Sequence, residues 1–100
     1  MIDPQPIDPY SLIPPFGHRL HQALQAAGME PPQLIRELRA YGITRTPGHV
    51  YNILNGLRPN PTLLTVAGCI KATDADPRWF FSRDLPEGHT PQDVLWRDLS

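Results

Sequence analysis

Cysteine is almost missing from this chain. Cys69 stands alone among 100 residues, so neither an internal disulfide nor a cysteine-built zinc cluster can form within one copy. There is no run of about 18 apolar residues, the length a membrane-spanning helix needs. The first residues carry Asp3 and Asp8 rather than a basic start and an apolar block, so no secretion signal is expected. A reduced, cytoplasmic setting is therefore the default expectation. Strand-like alternation and internal repeats are absent, which leaves helices as the regular elements. No glycine-rich phosphate loop occurs, and no Ser-His-Asp or Cys-His arrangement stands in a recognisable setting. Nor does a carboxylate pair lie in an apolar stretch, so an enzyme is not expected, and no cofactor or metal with it.

One residue type is in excess. Thirteen prolines among 100 residues is far above the usual ~5%. Proline ends helices and central strands, so the elements must be short. The length suits one domain. Residues 1–15 hold Pro4, Pro6, Pro9, Pro14 and Pro15 and read as an extended arm. Its interleaved Ile2, Ile7, Tyr10, Leu12 and Ile13 either lie on the core or a second subunit, or hang free. Net charge is −1, yet it is unevenly spread. From Phe16 to Lys71 six basic residues (Arg19, Arg36, Arg39, Arg45, Arg58, Lys71) face two acidic ones (Glu30, Glu37). The rest of the chain holds three basic residues and eight acidic ones. A basic middle between acidic ends points to an anionic partner for the middle; a mixed solvated surface is the plain alternative.

Periodicity divides the middle into five helices. Phe16, Leu20, Ala23, Leu24 and Ala27 form one stripe that Gly28 closes. Pro31-Pro32 opens a second helix with Leu34, Ile35 and Leu38 inward, and Gly42 after it. Thr46 caps a third, Pro47 suits its first position, and Val50, Ile53 and Leu54 point inward. A fourth, Thr62 to Thr73, has Leu63, Val66, Ala67, Cys69 and Ile70 as its apolar set. Pro77 starts a fifth with Trp79, Phe80 and Phe81, read as core closure rather than a base-stacking platform. Thr90-Pro91-Gln92-Asp93 has the pattern of a capping box for a last short helix bearing Val94, Leu95, Trp96 and Leu99. That helix either packs back on the domain or pairs with a second copy.

The third helix is the most informative. Its outer face is Pro47, Gly48, His49, Tyr51, Asn52 and Asn55, with no acid and no long aliphatic residue. Arg45 precedes it and Arg58 follows it. Two short helices, a glycine-containing turn and a second helix with a polar face and basic flanks describe a helix-turn-helix. The major groove of DNA admits one α-helix. Arginines beside it grip phosphate.

Ile43 to Phe80 resembles the phage-repressor-like (XRE, Cro-type) helix-turn-helix domain. The residues that carry the resemblance are Thr46, Val50, Ile53, Asn55-Gly56, Arg58, Asn60-Pro61-Thr62, Val66-Ala67, Asp76-Pro77 and Trp79-Phe80. The long connection from Tyr41 to Gly48 is similar to that of the EspR-type nucleoid-associated regulators. The resemblance spans residues 16–83. It implies an all-α, compact five-helix bundle, with residues 1–15 as arm and 84–100 as a tail with a short helix. It further implies a cytoplasmic transcriptional regulator that binds double-stranded DNA as a homodimer. By position, Pro47, Gly48 and Asn52 fall where the family reads bases, with Arg45, Thr46, His49, Tyr51, Asn55 and Arg58 around them. Pro47 and Gly48 carry no hydrogen-bonding side chain. The family's glutamine near the start of the second helix is replaced by Pro32 or Gln33. EspR-type proteins continue into further helices beyond the point matched by Ser100, so a dimer of this chain is expected to be built differently. A protein-interaction adaptor that kept the frame and lost DNA reading is the alternative. His18 and His21 share a helix but lack a third ligand, and Cys69 reads as a small buried hydrophobe.

Overall fold

A computed structural model of the chain describes residue 8, residues 11–85 and residues 88–92. Five helices follow in order: α1 Phe16–Ala27, α2 Pro31–Ala40, α3 Pro47–Leu54, α4 Leu63–Thr73 and α5 Pro77–Phe81. No strand is present among the described residues, so the fold is all-α. The last helix expected from the capping-box pattern, and most of the arm, lie outside the described residues.

Local chemistry explains each boundary. Gly28 takes the left-handed conformation (φ 65°) and ends α1, with the Met29 amide donating to the Leu24 carbonyl at 2.9 Å. At the start of α2 the Gln33 side chain accepts the Glu30 amide at 2.8 Å. The Thr46 hydroxyl accepts the His49 amide (3.1 Å) to cap α3, and Thr62 does the same for Thr65 on α4 (3.3 Å). Asp76 caps α5 through the Arg78 amide and holds the Arg78 side chain by two further bonds of 3.1 Å.

The core gathers Leu20, Leu34, Leu38, Val50, Ile53 and Phe80, all but fully buried. At Gly17 the two backbones of α1 and α3 meet, and a Cβ there would overlap the Ile53 carbonyl. At Gly68 on α4 a Cβ would press on the side chains of Leu38 and Ile43. Arg19 and Trp79 bind α1 to α5 reciprocally. The guanidinium donates to the Trp79 carbonyl (2.9 Å), and the indole N–H donates to the Arg19 carbonyl (3.0 Å). The guanidinium also lies 4.9 Å from the indole ring centre.

Three expectations need correction. The buried side of α4 is Thr65, Val66, Gly68, Cys69 and Thr73, whereas Leu63 and Ala67 are exposed. The helix is apolar on more than one side, so periodicity gave it no direction. Thr65 and Thr73 can face inward because Thr65 meets Arg45 and the Thr73 hydroxyl donates to the Cys69 carbonyl at 2.8 Å. Ala27 is the last residue of α1 and is exposed. Phe81 is half in solvent, being the last residue of a five-residue helix whose buried side ends at Phe80.

Candidate nucleic-acid interface

Helix α3 carries the candidate face. Val50 and Ile53 turn into the core, which forces Pro47, Gly48, Tyr51 and Asn55 outward. His49 and Asn52 are half-buried along the edges of the helix, and Thr46 is exposed at its start. The sequence placed Val50 and Ile53 inward correctly. Leu54 packs on the core but remains half-exposed. Gly56, with φ 80°, lets the chain reverse after the helix; the amides of Leu57 and Arg58 then donate to the Asn52 carbonyl at 2.8 and 3.2 Å. That reversal fixes where Arg58 leaves the helix.

Arg45 and Arg58 bracket His49. Burial is the first cause that lowers the His49 pKa below its ordinary 6.5, and the charges of Arg58 and then Arg45 add to it. The neutral form of His49 is therefore favoured over that of a free imidazole. The one ion pair among the described residues is Arg78 with Asp76, on α5. Neither Arg45 nor Arg58 has a carboxylate partner among the described residues. The two ends of α3 are thus flanked by positive charges that no carboxylate pairs among the described residues.

Arg45 is held more firmly than the sequence suggested. Its Nε donates to the Thr65 hydroxyl (3.1 Å), one Nη donates to the Thr62 hydroxyl (3.4 Å) and the other to the Thr44 carbonyl (2.8 Å). Thr62 and Thr65 also share a 2.9 Å hydroxyl contact. Arg45 consequently ties the start of α4 to the start of α3. A guanidinium has five donors, so three bonds orient it while leaving two for another acceptor. Sequence reasoning missed Thr65 as a partner of Arg45. The signal available was the Thr62–Thr65 pair itself, two hydroxyls three residues apart at a helix start. Gln33 is the nearest stand-in for the family's helix-two glutamine, and its carbonyl caps its own helix.

Beside this face, an open groove of about 650 Å³ runs between α1, the start of α2 and the end of α3. His21, Met29, Tyr51 and Asn55 are among its lining residues. Among the described residues no set of three metal-ligating side chains comes together, and no helix is long and apolar enough to cross a membrane. The chain matches no family model, no curated protein and no solved structure.

Proposed function

We propose that this chain is a DNA-binding transcriptional regulator that inserts α3 into the major groove. The observation that carries the reading is the acid-free outer surface of α3, bracketed by two arginines that lack carboxylate partners among the described residues. A duplex carries dense negative charge, and such a surface is the electrostatic complement of it. Arg58 and the free donors of Arg45 contact phosphates on either side of the groove. The Gly48 amide, in the first turn of α3, has no helical acceptor and adds a neutral phosphate donor. Asn52 reads adenine by a bidentate contact worth about 1–3 kcal/mol of discrimination. His49, Tyr51 and Asn55 add single hydrogen bonds or stack on sugar. Two copies occupy successive turns of one duplex, in a cytoplasmic setting.

The test is fluorescence anisotropy with selected and random duplexes across a salt series. Asn52→Ala lowers the preference between the two duplexes and leaves random-duplex affinity nearly unchanged. Arg58→Ala lowers both affinities equally and makes the salt slope shallower by about one. If neither substitution changes binding, α3 is not the helix in the groove.

A second reading has its own support. Pro47 and Gly48 present no reading side chain where α3 begins, and Arg45 already has three partners. Both suit an adaptor that kept the frame and binds an acidic protein instead. Absence of duplex binding at low salt decides for it.

A further inference from the structure

Helices α1 and α3 touch at Gly17, and past that contact the open groove beside the candidate face lies between them. One wall is the α1 stripe that runs from His21 to Gly28. The other is Tyr51, Leu54 and Asn55, which share one side of α3 because they are three and four residues apart. Met29 and Glu30, in the turn between α1 and α2, form the third. Leu24 is buried and Met29 and Leu54 are half-buried, so the floor is apolar. At about 650 Å³ the groove has the dimensions of a small-molecule site.

Its electrostatics differ from those of the basic middle of the chain. No lysine or arginine lines the groove, and Glu30 is its one carboxylate. Glu30 is exposed and has no cationic partner, since the single ion pair among the described residues joins Arg78 to Asp76. Its backbone is fixed at the wall: the Glu30 amide donates to the Gln33 side chain at 2.8 Å, and the Glu30 carbonyl accepts the Gln33 amide at 2.9 Å. Both α1 and α3 end at the groove, and neither has a basic residue in its last turn. The partial negative charge of two helix C-termini therefore adds to that of the carboxylate. Tyr51, 43% exposed, offers the face of a ring, which attracts a cation as well. Gln25 and Asn55 supply amide oxygens that accept from an ammonium or guanidinium. An anion would be repelled by Glu30 and by both helix ends.

We propose that this groove binds a small organic cation, one ammonium or guanidinium group on an apolar body, and that the bound ligand opposes the duplex. The charged end pairs with Glu30, and the body lies over Leu24, Met29 and Leu54 with the Tyr51 ring alongside. Tyr51 and Asn55 belong to the outer face of α3, so a ligand that occupies them withdraws two of its contacts from DNA. The site rests on the fold alone; its opposition to the duplex rests on the DNA-binding reading.

The probes are 2-phenylethylamine, a cation at pH 7, and its neutral and anionic counterparts of like shape, 2-phenylethanol and 3-phenylpropanoate. Titration of the full chain at constant ionic strength, followed by amide proton–nitrogen NMR, gives the affinity and the place of binding together. The amine is expected to bind about 5–10-fold more tightly than the alcohol, through an exposed carboxylate and a ring face, and the propanoate not to bind. The shifted amides should centre on residues 21–31 and 51–55. Glu30→Gln brings the amine down to the affinity of the alcohol, with an unchanged Tm by circular dichroism as the check on folding. Tyr51→Leu keeps the apolar bulk but loses the ring face, and weakens the amine by about 2–5-fold and the alcohol less. No binding by the amine, equal affinity of amine and alcohol, shifts centred elsewhere, or a folded Glu30→Gln variant that keeps the preference each overturn the site. Duplex release is read separately, by anisotropy with sodium chloride withdrawn as the amine hydrochloride is added. The amine should displace the wild-type chain from a random duplex and leave the Glu30→Gln complex largely intact. Amine binding with duplex affinity unchanged overturns the opposition and keeps the site. No duplex binding even without the amine sinks the regulator and leaves the site standing.

Discussion

Gly17→Ala is the sharpest probe of how α3 is held. Alanine is the better helix former, so in an open helix interior the change stabilises by about 1 kcal/mol. Here the new Cβ would overlap the Ile53 carbonyl oxygen, and would lie 3.1 Å from the Leu54 oxygen and 3.2 Å from the Ile53 carbonyl carbon. All three obstacles are backbone atoms of α3, so no side-chain rotation relieves them. Either α1 or α3 must move. Overpacking of this kind costs about 1–3 kcal/mol, and a backbone obstacle belongs at the upper end. Set against the helix gain, the net loss is about 2 kcal/mol, a fall in Tm of roughly 8–16 °C for a domain of this size. Gly48→Ala is the matched control. It lies in α3 with nothing within 4 Å of its Cβ, so it should keep or raise the Tm. Thermal melts of the two variants by circular dichroism decide the matter. Should Gly17→Ala melt as high as Gly48→Ala, the close approach of α1 and α3 is wrong, and with it the placement of the candidate reading helix.

Three further outcomes follow from single contacts. Thr65→Val keeps the shape but removes the buried hydroxyl that meets Arg45 Nε, so urea melts should show a loss of about 1–2 kcal/mol, and unchanged stability would mean that the α3–α4 tie does not form. The His49 pKa is lower folded than unfolded, so the unfolded chain binds the extra proton first. Stability should therefore be full above pH 6.5 and fall as the pH drops from there through the lower folded value, a dependence that His49→Gln weakens and that titrated melts would measure. Burial pushes the Cys69 thiol up to about 12, so a thiol reagent at pH 8 should label it only through unfolding; rapid labelling of the native protein would contradict its burial.

The sequence by itself determined the five helices and the composition of the candidate face. Pro31, Pro47 and Pro77 at helix starts and Gly28, Gly42 and Gly56 after helix ends are punctuation whose effect is local, since each acts through its own backbone dihedrals. The outer face of α3 was equally legible, because two β-branched residues at a spacing of three leave one inward direction. Only the tertiary structure decided which way α4 turns. Its apolar residues run round the helix, and the choice fell to neighbours distant in sequence: Leu38 and Ile43 leave room only for Gly68, and Arg45 supplies the polar partner that lets Thr65 be buried. The same holds for the approach of Gly17 to Ile53 and for the anchoring of Gln92 on α1 and α4. These are meetings of residues 19 to 69 positions apart, made when helices pack, and neither propensity nor period carries them.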